Sequence, residues 1–443
     1  MAETAPATAL DIDEIPFADL LLLLLSPEAA AAGDDGDTDG RRRRLLATVW
    51  TALGPGGAGL LAVSGVPRAA ALRRRLLPLA RRLALMDHPS RAHLLKKHGL
   101  GSDVPLKKPD RSVSSFAQLL RYDSGKLHSS EFMREATGDT EIRPGCPEEV
   151  PAGADGFGEH KGDDDDMENL GDLFKELGLC MMELGILVAR ACDIVIGGNQ
   201  LEQSITDSGS AKARLIHYHS ELDNRIIKES SSTRRRSLAN NGIRRWIMYH
   251  QQKKMISLLN LWQEWHYDYG VLTVLTAPLF LRSALGQECQ ISEECSLPDG
   301  HSHLQLFSRR RIYSVRCSQE SFIVQVGEAA GILSGGKLRS TLHAVSRPLG
   351  LPNISRETFV VFLQPSWDKT LPFLGYSSAD EDDSSDHMEL AFRGDGPAGS
   401  CSEHILMQGI LKKIPPLSSR LKEGMTFAEY FLSSLMAYFL LQL

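Results

Sequence analysis

The chain of 443 residues has few cysteines, and its acidic residues outnumber its basic residues only slightly. Its seven cysteines are an odd number, and their scattered positions do not form a disulfide framework, which favours a reducing compartment. The net charge of −7 argues against nonspecific attraction to nucleic acid or to an anionic membrane. Short basic runs such as RRRR at 41–44 are balanced by acidic runs, so they are typical of solvated surfaces.

Long apolar runs are also scarce. The run LLLLLL at 20–25 is too short to span a bilayer, and it follows acidic residues where a signal peptide would carry positive charge. No membrane partner is therefore expected. The cytoplasm is the expected location, with the nucleus as an alternative, and the sequence does not specify an oligomeric state.

The N-terminal part is predicted to be mainly helical. A short strand leading into a helix is expected at 14–25, and a low-complexity segment at 27–44. A helix, a turn and a strand follow at 45–67, and the spacing of Leu and Ala predicts an amphipathic helix at 68–86.

The second half reads as one long helix followed by short strands. The helix at 167–196 begins with acidic residues and ends at Gly197 and Gly198. Short β-rich runs separated by turns, including AAGILSGG at 329–336, suggest a barrel or sandwich. The expected regions are an N-terminal cap (1–136), an acidic Gly/Pro-rich linker or loop (137–166), a long backing helix (167–200), a β-rich domain (201–370), a disordered insertion (371–403) and a C-terminal helical region (404–443).

A candidate metal site begins in WHYDYGVLTVLTAPLF, which spans 265–280. His266 and Asp268 are two positions apart, so on a strand their side chains would point to the same side. The third candidate ligand is His343, in GGKLRSTLHAVSRP. Two histidines and one carboxylate on one face of a metal are typical of non-haem Fe(II) oxygenases.

Such an oxygenase also needs a cation that binds the distal carboxylate of a 2-oxo acid. Arg356 is the candidate, and Thr358 shares its face of the predicted strand. The turn residues of PLGLPNI at 348–354 suggest that the strands of His343 and Arg356 are antiparallel neighbours. Arg347 is a rival, but Arg356 is preferred because a hydroxyl follows it on the same face.

These motifs together resemble the plant-type superfamily of 2-oxoglutarate- and Fe(II)-dependent oxygenases, in a divergent form. HYDYGVLTVL, SGGKLRSTLHAVSRP and RETFVVF match its H-x-D, distal His and R-x-S segments, with Thr358 in place of Ser. ARLIHYHS resembles its N-x-Y segment, with Ile216 at the Asn position and Tyr218 at the Tyr. IPPLSSRLKEGMTFAEYF at 414–431 resembles the C-terminal region of one plant subgroup, but the apolar end SSLMAYFLLQL does not.

The resemblance implies an α+β fold, with a double-stranded β-helix (jelly roll) core and flanking helices. It implies that His266, Asp268 and His343 bind Fe(II), and that Arg356, Thr358 and Tyr218 bind 2-oxoglutarate. It also implies oxidation of a small organic substrate by O₂, with release of succinate and CO₂ and with ascorbate as an optional addition. The alternative is a non-catalytic binding or interaction protein of the same fold. A third hypothesis, an oxygenase acting on protein or nucleic acid, derives from the basic loop at 228–246.

Other histidines and cysteines have simpler explanations. The spacing of Cys289, Cys295, His301 and His303 is poor for structural zinc, so a polar loop is favoured there. His217 and His219 are expected to point away from the iron. Trp262 and Trp265 could line a substrate entrance, but core packing explains them at least as well.

Overall fold

The computed structural model describes most of the chain. The described residues are 8–24, 36–104, 106, 111–121, 162–232, 260–283, 292–296, 300–309, 311–373, 408–410 and 412–440. Most of the predicted insertion at 371–403 therefore lies outside the described residues, as do most of the acidic linker and most of the basic loop. No helix within these ranges is both long enough and apolar enough to cross a membrane.

The strands are short and come mainly from the second half of the chain. They are β1 Thr8–Asp11, β2 Glu14–Pro16, β3 Leu60–Ser64, β4 Gly101–Ser102, β5 Val113–Arg121, β6 Ser210–Tyr218, β7 Leu261–His266, β8 Leu272–Thr276, β9 Leu279–Ser283, β10 Ser292–Glu294, β11 Leu304–Ser308, β12 Arg311–Arg316, β13 Phe322–Val326, β14 Leu342–Ser346 and β15 Ile354–Leu363.

The helices lie mainly before the strands. They are α1 Phe17–Leu21, α2 Gly36–Leu53, α3 Ala69–Leu85, α4 His88–Lys97, α5 Gly162–Glu168, α6 Leu170–Ile196, α7 Gln200–Ser208, α8 Glu221–Ser232, α9 Glu328–Leu333, α10 Leu417–Arg420 and α11 Phe427–Leu440. A 3₁₀ turn, Leu22–Leu24, follows α1.

The strands form two sheets, mostly antiparallel. One has the order β1-β12-β11-β14-β7, and the other runs β2-β3-β13-β8-β15-β6-β5-β4, with β9 and β10 joined at β15. Buried side chains such as Tyr218, Leu306 and Val345 form an apolar cluster to which both sheets contribute. This arrangement is the predicted jelly roll with flanking helices.

Helix α6 covers the outer face of the larger sheet. Phe174 meets Phe359 of β15 edge to face, with ring centroids 4.8 Å apart. Two glycines allow the close approach, because a Cβ at Gly178 would lie 2.4 Å from Leu120 and one at Gly185 would lie 2.1 Å from Leu363. The helix ends at Gly197, whose φ of 73° is strained for residues with a side chain. This packing supports the larger sheet, which contributes Arg356, Thr358 and Tyr218 to the candidate site.

The structure differs from the sequence predictions in the secondary structure of three segments and in the position of one pair of strands. AAGILSGG is not a strand, because 328–333 form helix α9, and such a short apolar run fits either structure. The low-complexity segment 27–44 is helical from residue 36 onwards, and α5 includes the last residues of the acidic linker. His343 and Arg356 are not on neighbouring strands, because β14 and β15 belong to different sheets.

Candidate metal centre

His266, Asp268 and His343 meet between the two sheets. One potential ligand atom from each lies within 4.8 Å of the other two, and this is the one such cluster of three found among the described residues. His266 and His343 form a cross-strand pair of β7 and β14, with ring centroids 4.2 Å apart. His266 Nε2 lies 3.8 Å from Asp268 Oδ1. Strand β7 ends at His266, so Asp268 reaches the cluster from the loop that follows and not from the strand itself.

Each ligand candidate has one atom held by a neighbour and another directed at the cluster. His266 Nδ1 donates to the Glu264 carbonyl at 2.8 Å, and His343 Nδ1 donates to the Thr341 carbonyl at 3.0 Å. These bonds leave Nε2 of each ring as the candidate metal ligand, and the side-chain amides of Gln263 and Gln325 lie 2.9 and 3.2 Å from those two nitrogens. Burial and the adjacent His343 lower the pKa of His266 to about 4, so this ring is neutral at pH 7, as a ligand must be.

Asp268 is oriented by two side chains. Thr273 Oγ1 donates to Asp268 Oδ2 at 2.7 Å, and Gln325 Nε2 donates to the same oxygen at 2.8 Å. Gln325 Nε2 also lies 3.1 and 3.2 Å from the ring nitrogens of His343. Gln325 is fully buried, and its Oε1 has no hydrogen-bond donor among the described residues. Sequence reasoning missed Gln325, although a polar residue in the apolar strand FIVQV was a signal.

The loop carrying Asp268 is pinned by the start of helix α9. The backbone N–H of Glu328 donates to the Asp268 carbonyl at 2.8 Å, and that of Ala329 donates to the Gly270 carbonyl at 3.0 Å. The first N–H groups of a helix have no partner within it, so this loop supplies their acceptors. Gly327 is required here, because a Cβ would lie 2.2 Å from the Gly270 oxygen.

The C-terminal segment secures α9 from behind. Arg420, almost completely buried, forms an ion pair with Glu328 and donates from Nη1 at 2.8 Å. Tyr430 of α11 donates to the same carboxylate, and Tyr430 also packs against Tyr269, next to Asp268. The C-terminal segment thus packs against the loop that holds a ligand candidate.

The proposed co-substrate residues lie on the inner face of the larger sheet. Arg356 of β15 is paired with Tyr218 of β6, and its guanidinium lies 5.1 Å from the ring centroid of Tyr218. Arg356 is 2% exposed and donates to the Ser302 carbonyl, and no carboxylate among the described residues forms an ion pair with it. Thr358 is paired with Ile216, whose side chain belongs to the apolar cluster and offers no amide.

A hydrogen-bonded connection joins Tyr218 to the cluster through Gln263. Tyr218 donates from its hydroxyl to Gln263 Oε1 at 2.7 Å, and Gln263 Nε2 lies 2.9 Å from His266 Nε2. A bulge in β7 puts Gln263 and His266 on one side, because three residues of β7 span two of β14 there. Strict alternation would have selected Glu264, so sequence reasoning missed Gln263.

His217 and its neighbour His219 belong to a separate cluster on the outer face of β6 and β15. His217 Nδ1 lies 2.8 Å from Glu357, and its Nε2 lies 3.5 Å from Asp223, which is paired with Arg81. His219 Nε2 is bonded to a serine hydroxyl. Burial opposes protonation of His217, but Glu357 and Asp223 raise its pKa to about 9. These side chains point away from the triad, as expected.

The remaining candidates take no part in the triad. Cys289 lies outside the described residues, and no metal-type cluster forms around Cys295 among the described ones. Trp262 packs against Tyr218 within the apolar cluster, and Trp265 packs against Phe307 in another cluster. Both tryptophans are core residues rather than an entrance.

No family model matches the chain, and no curated protein matches it. Solved structures do match. A Neurospora crassa protein in complex with alpha-KG and thymine has 13% identity and a TM-score of 0.47, covering 96% of each chain. The dioxygenase for auxin oxidation in rice has 15% identity and a TM-score of 0.43, covering 82% of this chain and 86% of its own.

A third match is the dioxygenase for auxin oxidation 1 from Arabidopsis thaliana, in a binary complex with 2-oxoglutarate. Its identity is 12% and its TM-score is 0.42, with 81% of this chain and 94% of its own covered. These values are low, so the likeness concerns the fold. The ligands in those structures belong to those proteins, and the function of this chain must be argued from its own side chains.

Proposed function

We propose that this chain is a divergent Fe(II)- and 2-oxoglutarate-dependent oxygenase that oxidises a small organic substrate and releases succinate and CO₂. The observation that carries the proposal is the clustering of His266, Asp268 and His343, with one potential ligand atom of each within 4.8 Å of the other two. Two imidazoles and one carboxylate suit Fe(II) and leave coordination positions open for a chelating acid and O₂.

The surroundings of the cluster fit the proposed co-substrate. Arg356 is a buried cation without a carboxylate partner among the described residues, and a buried charge is costly unless it is paired. A guanidinium fork matches a carboxylate in two hydrogen bonds, and Thr358 adds a hydroxyl on the same face. Tyr218, stacked beside Arg356, completes the proposed binding site for the distal carboxylate.

The bound Fe(II) and 2-oxo acid would supply the oxidising chemistry, and the protein would supply binding, orientation and a dry site. Thr273 and Gln325 hold Asp268 Oδ2, so that Oδ1 remains directed at the cluster. Backbone carbonyls hold both imidazoles in the tautomer that ligation requires. The apolar cluster around Tyr218 and Trp262 excludes water from the inner face.

The test is an anaerobic titration of the protein with Fe(II) and 2-oxoglutarate, followed by the visible charge-transfer band of the chelate. We expect the band in the native chain and in His93→Ala, which changes an exposed histidine of α4. We expect no band in Asp268→Ala or His343→Ala, while Arg356→Met binds Fe(II) but requires far more 2-oxoglutarate. A folded native chain without a band would refute the proposal.

The non-catalytic alternative is supported by Ile216, which replaces the amide that the resemblance predicts. The non-catalytic alternative and the main proposal predict different results in a turnover assay. A charge-transfer band without release of succinate under O₂ would favour a binding protein, whereas succinate release that depends on His343 would favour the enzyme.

A further inference from the structure

A row of side chains crosses the inner face of the larger sheet, starting beside the triad. Successive residues of the row are directly paired across neighbouring strands, and directly paired residues point to the same face. The row consists of Gln325, Thr273, Phe362, Lys212 and Leu119. Adjacent strands are about 4.8 Å apart, so the row extends roughly 19 Å from the ligand cluster to β5.

Exposure increases steadily along this inner row. Gln325 and Thr273 are buried, at 0% and 1%. Phe362 is half-buried and packs against the apolar cluster. The Lys212 side chain is 39% exposed, and Leu119 is 53% exposed. The row therefore leads from the metal-ligand candidates outwards to solvent.

The outer part of the row carries positive charge next to an aromatic ring. Arg214 lies two positions from Lys212 on the same face of β6, and its guanidinium lies 4.7 Å from the ring centroid of Phe362. Lys212 Nζ contacts Asp103 Oδ1 at 2.8 Å, and Arg214 Nε contacts Asp103 Oδ2 at 2.7 Å. Two cations thus share one carboxylate, which leaves one net positive charge.

The cations also have hydrogen-bonding capacity to spare. Among the described residues, Arg214 donates its one hydrogen bond from Nε, so its two terminal nitrogens remain for another acceptor. The half-exposed pairs with Asp103 are the kind that contribute little to stability. A structural need for two cations at this position is therefore weak.

We infer that the inner row binds the substrate of the proposed oxygenase and selects a small organic carboxylate with an apolar body. The body lies on Phe362, and the carboxylate binds Arg214 and Lys212. The other end then points along Thr273 towards the triad, about 10 Å from Phe362 by strand spacing. This inference rests on the proposed function for the chemistry, but not for the binding of the acid.

The test compares phenylacetate with phenylacetamide, which has nearly the same shape and no charge. Both dissociation constants are measured by NMR titration, with and without Fe(II) and 2-oxoglutarate under anaerobic conditions. We expect the native chain to bind the acid at least tenfold more tightly than the amide. In Lys212→Met/Arg214→Met the two affinities should become equal. The charge-conserving Lys212→Arg/Arg214→Lys variant should restore the preference, and Phe362→Ala should weaken both ligands.

Two further readouts separate this inference from its alternatives. Mn(II) bound in place of Fe(II) should broaden the NMR signals of the ring protons of bound phenylacetate, because the row begins at the triad. Unchanged linewidths with Mn(II) bound would place the ligand elsewhere and overturn the inference. Lys175→Met, on the exposed side of α6, serves as the control and should keep the acid preference. Equal affinities for acid and amide in the native chain would also overturn it. Absence of the charge-transfer band, with the acid preference intact, would overturn the proposed function instead.

Discussion

Strands β6 and β15 carry polar residues on both faces, and the two sets are bonded in opposite ways. On the outer face, His217 lies between Glu357 and Asp223, and Arg81 completes the charge balance. On the inner face, Arg356 has no carboxylate partner among the described residues. The outer cluster and the triad, which the smaller sheet contributes on the inner side, both combine histidines with carboxylates, so residue types alone do not separate them.

The difference lies in how the charges of each cluster are paired. In the outer cluster, His217 and Arg81 oppose Glu357 and Asp223, although a single buried atom such as His219 Nδ1 has no hydrogen-bond partner among the described residues. On the inner side, two imidazoles and a carboxylate converge within 4.8 Å, and Arg356 is a buried cation with no carboxylate partner among the described residues. A buried cation without a counter-charge is costly, so its presence on the same side as the convergent ligand candidates indicates a binding site.

The largest effect is expected for His217→Ala. This change leaves the buried Glu357 without its ion-pair partner and Asp223 paired with Arg81 alone, and breaking such a cluster costs about 3–5 kcal/mol of unfolding free energy. Urea denaturation measures the loss. The charge-transfer band per folded molecule should stay unchanged, because the side chain faces away from the triad. A lost band with normal stability would reverse the assignment of the two faces.

Gly327→Ala should affect both the fold and the site. The new Cβ would lie 2.2 Å from the Gly270 oxygen and 3.1 Å from the Asp268 oxygen, and neither backbone atom can move without displacing the ligand loop. We expect a loss of about 1–3 kcal/mol in stability and a weaker affinity for Fe(II). Gly56→Ala is the control, since nothing lies within 4 Å of its Cβ position. Normal metal affinity in Gly327→Ala would show that α9 does not position Asp268.

The contact of Gly327 with the Asp268 loop also shows which parts of the site could be predicted from the sequence. The clustering of His266, Asp268 and His343 was predictable, because their motifs are local and their chemistry restricts the residue types, whereas the role of Arg356 stays a prediction. The pinning of Asp268 by α9 was not, because AAGIL is too short for its periodicity to distinguish helix from strand. The buried pair of Glu328 with Arg420 joins residues 92 positions apart, and no local pattern reports such a contact.

The register and order of the strands were the second feature that the sequence could not predict. The sequence placed His343 and Arg356 on neighbouring strands, but the chain between them crosses from one sheet to the other. Gln263 was missed because the bulge in β7 shifts the alternation by one residue. Which side chains surround the triad is thus decided by irregularities of the strands, which a pattern of alternating residues does not contain.

Gln325→Leu tests whether an inner-face residue next to the triad positions the ligand candidates. It removes a hydrogen bond to Asp268 and a contact with His343, and partners of metal ligands typically change affinity by about 10–100-fold. Calorimetric titration with Fe(II) or Mn(II) measures the change. Stability should be kept or increased, because the orphan oxygen of Gln325 disappears too. Gln118→Leu on β5 is the matched control, and equal metal affinities in the two variants would exclude a positioning role for Gln325.

The last expected effect is a pH dependence that belongs to the outer face alone. Glu357 and Asp223 raise the pKa of His217 to about 9 against the opposing effect of burial, so the folded chain keeps a proton that the unfolded chain releases near pH 6.5. The stabilisation is complete below pH 6.5 and is lost as the pH rises towards 9, with a slope of at most about 1.4 kcal/mol per pH unit. Unfolding free energies of the native chain and His217→Gln, measured between pH 6 and pH 9, should therefore converge with rising pH. Parallel curves would mean that His217 is neutral in the folded protein and that the outer cluster holds one more negative charge than its contacts indicate.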